Sequence, residues 1–165
     1  MLHLDRRWDS DFLTLSQLVR DGTLGRIVEV ETHFDRYRPA VPAGVSWKTK
    51  VIPGGGAVYD LGTHLMDQVV VLFGMPRRIT GFVGTQREGN RSGYEDSCTV
   101  LLHYDGMMAT VKAAVVSPEV NQLRYWVRGD KGSFKKVCSL KSERRRLSVL
   151  MLLVYSSTST AKRTN

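Results

Sequence analysis

The stretch SCTVLLHYDGMMATVKAAVV, residues 97–116, decides the fold class. Two runs rich in Val, Leu and Thr flank Asp105-Gly106. An Asp-Gly pair between such runs is a strong hairpin signal, because Gly takes the positive φ that a tight turn demands. Two antiparallel strands are therefore predicted, Ser97–Tyr104 and Met107–Val116. Downstream, Leu123–Arg128 reads as another strand, Gly129-Asp130-Lys131-Gly132 as a tight turn, and Ser133-Phe134-Lys135 as the start of a short final strand. Upstream, Ile79–Thr85 is a further strand candidate.

The N-terminal part adds two helices and one more strand. Phe12, Leu15, Leu18 and Val19 recur at helical spacing within residues 9–22, with Asp9 or Ser10 as candidate cap and Gly22 as the stop. Val28, Val30, Thr32 and Phe34 alternate with Glu29, Glu31, His33 and Asp35, the period-two pattern of a strand with one buried face. Residues 36–53 read as a loop punctuated by Pro39, Pro42, Gly44 and Pro53. Gly54-Gly55-Gly56 opens a second helix running to Phe73, striped by Val58, Leu61, Leu65, Val69 and Leu72 and ended by Gly74 and Pro76. Two helices with five or six strands, consecutive late in the chain, make an α+β fold with a largely antiparallel open sheet. The strand order cannot be read from this pattern.

Composition narrows the function classes. The chain has 165 residues, 42% hydrophobic and 24% charged, which suits about one globular domain. No apolar run is long enough for a membrane-spanning helix, and the N-terminus lacks a signal-peptide layout. Cys98 and Cys138 are the only cysteines, too few for a disulfide framework, so a reduced cytoplasmic protein is expected. Of the net charge of +8, residues 137–165 carry +5 (six basic residues against Glu143). The rest is nearly balanced, so neither nucleic acid nor membrane is expected as a partner. The sequence changes character after Lys136. Two domains of organisation follow, a folded body over 1–136 and a divergent basic and apolar tail over 137–165. The tail can be read as a membrane-touching segment, a helix docked on the sheet, or a stretch never selected to fold.

Chemistry concentrates in Gly54-Gly55-Gly56-Ala57-Val58-Tyr59-Asp60-Leu61-Gly62-Thr63-His64-Leu65-Met66-Asp67. Asp60, His64 and Asp67 stand at i, i+4 and i+7, on one face of a regular helix. An imidazole titrates near neutrality, and a carboxylate one turn away can orient it, which makes an acid–base unit for taking a proton from a hydroxyl. The alternative is a capping Asp and a His satisfied by neighbours. A metal site is disfavoured, because no second ligand cluster is visible. Arg6, Arg7 and Trp8 could meet an anionic cofactor or substrate, and His33, Arg36 and Arg38 lie at a strand end where a substrate pocket could form. His103 reads as structural and Cys98 as a small buried hydrophobe, while Trp47, Tyr125 and Trp126 read as core or interface. No G-x-G-x-x-G unit exists anywhere in the chain.

These residues resemble the Gfo/Idh/MocA oxidoreductases over roughly residues 5–136. The resemblance rests on Arg6-Arg7-Trp8-Asp9-Ser10-Asp11-Phe12, Gly22-Thr23-Leu24-Gly25 and His33-Phe34-Asp35-Arg36. It continues through Gly54-Gly55-Gly56 with Asp60, Gly62, His64 and Asp67, and ends at Arg128-Gly129-Asp130-Lys131-Gly132-Ser133-Phe134. It implies an N-terminal Rossmann domain for NAD or NADP, absent here, followed by an α/β domain whose open sheet often forms a dimer interface. The family's D-x-x-x-H pair falls on Asp60 and His64, which implies His64 as the acid–base residue and Asp60 as its orienting partner. Asp67, Arg36 and Trp47 are then the expected substrate contacts, and Arg6, Arg7 and Trp8 the expected cofactor contacts. The family's Glu-Lys-Pro lysine has no counterpart.

The expected function is thus the substrate-binding and oligomerisation domain of an NAD(P)-dependent dehydrogenase acting on a sugar, polyol or diol. With no dinucleotide domain, the chain alone is expected to bind no cofactor and to turn nothing over. A non-catalytic association module, a homo-oligomer formed through the sheet, is the alternative.

Overall fold

A computed structural model describes residues 5–43, 51–91, 93–139 and 148–154. A short 3-10 turn, Asp5–Trp8, leads into helix α1, Ser10–Arg20. Strand β1, Ile27–Asp35, follows. A π-helical turn, Val58–Gly62, then runs directly into helix α2, Thr63–Phe73. The remaining strands are β2 (Arg78–Gly84), β3 (Ser97–Tyr104), β4 (Met107–Ala114), β5 (Asn121–Gly129), β6 (Gly132–Ser139) and β7 (Ser148–Val154).

The seven strands form one sheet in the order β2-β3-β4-β1-β5-β6-β7. Every neighbouring pair is antiparallel except β1 and β4, which run parallel. The first strand of the chain therefore lies inside the sheet, between hairpin β3–β4 and strand β5. Period-two alternation decides which face each side chain takes. Val30, Val100, Leu102, Ala109, Val111, Val127 and Phe134 turn to one face and close a core with Leu15 of α1 and with Leu65 and Val69 of α2. Each fully buried Val or Leu of this kind contributes about 1.5–3 kcal/mol. On the other face β1 presents Glu29, Glu31 and His33, while Phe82, Met108 and Trp126 remain 62%, 38% and 41% exposed.

The turn after β5 shows why its glycine is required. Gly129 passes so close to the loop before β1 that a Cβ would collide with the carbonyl oxygen of Leu24. The same contact zone is stitched by Asp130 N–H to the Arg26 carbonyl (3.0 Å) and Lys131 N–H to the Leu24 carbonyl (3.1 Å). Overpacking against backbone cannot be relieved by a rotamer change.

Several expectations are corrected. The body holds six strands, the upper end of the expected five or six, and the tail adds a seventh. Strand β6 is eight residues long rather than short, because β5 offers it a partner as far as Asn121. Within the tail, residues 148–154 form a strand paired antiparallel with β6, not a helix. That run is apolar without a helical stripe, and β6 supplies a free row of backbone donors and acceptors. The Asp9 carboxylate makes no capping bond to α1; it pairs with Arg6 (3.3 Å) instead.

Candidate functional site

The site is built where α2 begins. Gly56 has φ +81°, a backbone conformation that L side chains rarely adopt, and a Cβ there would displace the Glu95 carboxylate. Ala57 N–H then donates to the Glu95 carbonyl (3.0 Å), tying the helix start to the segment before β3. The π turn follows at once. Its inner residue Leu61 packs with Cys98 and Ala113, and buried Gly62 sits 3.4 Å from the Cys98 sulfur measured from a notional Cβ. A π turn holds one more residue than an α turn, and such turns recur at functional sites. The expected regular helix face is thereby altered between Asp60 and His64.

Asp60 is half-buried and lines a cleft of about 380 Å³ whose wall also holds Arg36, Arg38, Arg87, Glu95 and Asp96. Two expected site residues, Asp60 and Arg36, are thus brought together. His64 is half-buried one turn further on, outside the wall of that cleft. Its Nδ1 is fully buried and has no hydrogen-bond partner, so the expected orienting bond from Asp60 is not made through Nδ1. A buried polar atom left unpaired is uncommon and costly, and calls for a structural or functional reason.

The third residue of the expected face is engaged elsewhere. Asp67 accepts two bonds from Arg7, at 2.7 Å from Nε and 2.5 Å from Nη2. This bidentate bond to Asp67 raises the Arg7 guanidinium above its already high ordinary value. An expected substrate residue and an expected cofactor residue therefore hold each other, and the pair anchors the Asp5–Trp8 turn to α2. Arg6 lies 5.2 Å from the centroid of the Phe34 ring, with Arg36 at 4.8 Å and Arg124 at 5.4 Å. Trp8 is 78% exposed. His33 is not at the cleft. Strand alternation places it on the opposite face, where its Nδ1 lies 2.9 Å from Asp35 and its Nε2 3.3 Å from Glu31. Trp47 lies outside the described residues. Among the described residues, no cluster of three His, Cys, Asp or Glu could hold a metal ion.

Sequence reasoning missed two sets of buried polar groups. Gln68 (1% exposed) and Arg124 (6%) sit in an otherwise apolar core, and Asp96 (2%) accepts the Gln86 and Arg87 amides at 2.7 and 3.2 Å. Gln68 was detectable in principle, as the polar residue between Leu65 and Val69 on the buried stripe of α2.

The buried acids Tyr125 and Cys98 give a pH signature. Burial pushes the Tyr125 hydroxyl far above its ordinary 10.0, and burial also pushes the Cys98 thiol above 9.0. Both groups hold their proton more tightly when folded. Their contribution is fully present below those unfolded values and is lost as pH rises past them. The urea midpoint is expected to fall from about pH 9 and more steeply past about pH 10, with Tyr125→Phe flattening the upper part. A midpoint level to about pH 11 would contradict this burial.

The chain is similar to known proteins. The family model described as the GFO/IDH/MocA C-terminal domain matches residues 12–135. The chain is 39% identical over 140 residues to an uncharacterised oxidoreductase of Schizosaccharomyces pombe, covering 82% of this chain and 38% of that protein. It is 38% identical over 132 residues to the NADP(+) scyllo-inositol 2-dehydrogenase IolW of Bacillus subtilis, covering 80% of this chain and 36% of the other. Among solved structures, the Bacillus subtilis oxidoreductase YvaA superposes with a TM-score of 0.73 at 36% identity, over 82% of this chain and 38% of that one. Levoglucosan dehydrogenase, solved with NADH and L-sorbose, has the same fold, with a TM-score of 0.65 at 20% identity over 93% and 46% of the two chains. The chain spans 36–38% of the length of the curated relatives it matches.

Proposed function

The chain belongs to the Gfo/Idh/MocA oxidoreductases through their C-terminal domain, and on that footing we propose that it is the substrate-binding domain of an NAD(P)-dependent enzyme acting on a sugar, polyol or related diol. The observation that carries the proposal is the buried, unpartnered Nδ1 of His64, one turn beyond Asp60 on the helix that opens at the Gly56 cradle. In this reading His64 takes the proton from a substrate hydroxyl, or returns it to the carbonyl, and Asp60 fixes the electrostatics of the cleft beside it. Arg36 contacts substrate from the cleft wall, Trp47 is a further substrate contact, and Asp67 acts through Arg7. Relatives act on polyol or sugar-derived compounds by name, scyllo-inositol and levoglucosan.

The residues present fit one side of a nicotinamide cofactor. Arg6, Arg7 and Trp8 put two guanidiniums and an indole on one turn, which the Arg7–Asp67 pair joins to the His64 helix. The chain has no G-x-G-x-x-G unit to cradle a pyrophosphate and no Glu-Lys-Pro lysine. Those parts belong to a separate dinucleotide domain, and this chain by itself carries no turnover. When bound, the nicotinamide supplies the hydride acceptor; the proton is handled by His64. Among the described residues no helix is long and apolar enough to cross a membrane.

Joining the chain behind the dinucleotide domain of its Escherichia coli relative YdgJ, 39% identical over 132 residues, tests this reading. The chimera is expected to oxidise a cyclic polyol or sugar with NADP(+) or NAD(+). His64→Asn is expected to lower its kcat by about 100-fold or more at unchanged fold by circular dichroism. A folded chimera with no activity, or one in which His64→Asn is silent, would count against it, as would turnover by the chain alone.

A second reading rests on the open face of the sheet. Phe82, Met108 and Trp126 stay exposed there across three strands, so the face suits self-association between two copies. Light scattering at rising concentration is expected to show a dimer, and Trp126→Glu to shift it toward monomer by at least about tenfold in Kd. A monomer at all concentrations would sink this reading and leave the first untouched.

A further inference from the structure

We infer that Gln68 is the positioning residue that fixes the Arg6–Arg7 turn against the helix carrying His64. The name "positioning" rests on the proposal that His64 is the acid–base group. The geometry itself does not.

Gln68 follows His64 by four residues, one turn along α2, and its side chain is 1% exposed. Its two amide atoms face different elements. Oε1 accepts from Arg124 Nη2 (2.9 Å) and from the Tyr125 hydroxyl (2.6 Å). Both of those groups are donors here, so the oxygen end of the amide must face them. The NH₂ end then points the other way, and Nε2 donates to the carbonyl oxygen of Arg6 (2.6 Å). The orientation follows from the network rather than from choosing between two indistinguishable amide poses.

The donors are themselves immobilised. Arg124 Nη1 donates to Thr32 Oγ1 and to the His33 carbonyl, both at 3.2 Å, and Nε lies 3.3 Å from Asp11 of α1. The guanidinium also covers the Tyr125 ring at 4.3 Å. Strands β1 and β5 and helix α1 thus hold Arg124, Arg124 and Tyr125 hold the Gln68 oxygen, and the Gln68 nitrogen holds the Arg6 backbone. The second tether of the turn, Arg7 to Asp67, lands on the same helix one residue earlier. A group buried within such a network is costly to displace, because each broken bond leaves a desolvated partner.

Replacing the donor while keeping the acceptor isolates the claim. Gln68→Glu retains an oxygen for Arg124 and Tyr125 but turns a second oxygen toward the Arg6 carbonyl. Tyr125→Phe keeps the core volume but removes one of the two bonds that aim the amide. The readout is limited trypsin digestion of the full chain, with mass spectrometry separating cuts after Arg6 and Arg7 from cuts after Arg20 and Arg26. Gln68→Glu is expected to speed the Arg6 and Arg7 cuts about tenfold, and Tyr125→Phe about threefold, while the Arg20 and Arg26 cuts keep the wild-type rate. Unchanged Arg6 and Arg7 cuts in both variants would overturn the inference. So would a rise at all four sites together, which reports general loosening. If Gln68→Glu does not fold, the Tyr125→Phe result decides alone. Proteolysis needs no turnover, so an inactive chimera and an unpinned turn are separate failures.

Discussion

A guanidinium buried under a sheet is tolerated only when its N–H groups are met by acceptors and its charge by a carboxylate. Arg124 meets both conditions, through Gln68, Thr32, the His33 carbonyl and Asp11. Much of the domain depends on this requirement. It ties α1 to β5, β5 to the end of β1, and all three to the middle of α2. The register shift between Leu123 and Tyr125 in β5 lets Arg124 and Tyr125 both turn into the helix side, against the ordinary alternation of a strand.

The site lies at the margin of that cluster. Gly56 admits the chain to α2, the π turn carries Asp60 to the cleft, and His64 follows with an imidazole nitrogen the protein itself does not satisfy. In the proposed reading, rigid support below and an unmet polar atom above preorganise the position that substrate takes. Three guanidiniums, of Arg6, Arg36 and Arg124, gather around Phe34, and Arg7 pairs with Asp67 at the same end of the domain.

Local chemistry made much of this legible. The alternation Val28–Asp35 placed β1 and its buried face, Asp105-Gly106 placed the β3–β4 hairpin, and Gly54-Gly55-Gly56 placed the helix carrying Asp60 and His64. What stayed hidden is non-local. The parallel pairing of β1 with β4 joins Glu29 to Met108, and no residue in either strand announces that register. Arg124 and Gln68 stand 56 residues apart, so neither alone reveals the pair. The π turn is a local irregularity that helical periodicity does not encode. The separation of His33 from Arg36 follows from strand alternation and could have been drawn from the sequence.

The central claim is that His64 lies at the substrate position of this domain. Nuclear magnetic resonance of the chain labelled at its four histidines, titrated with scyllo-inositol and related polyols, addresses it most directly. Saturable shifts confined to the His64 ring, with His33 and His103 still, are the expected result, and His64→Asn should abolish them. An unresponsive His64, or shifts centred on His33 across the sheet, would contradict it.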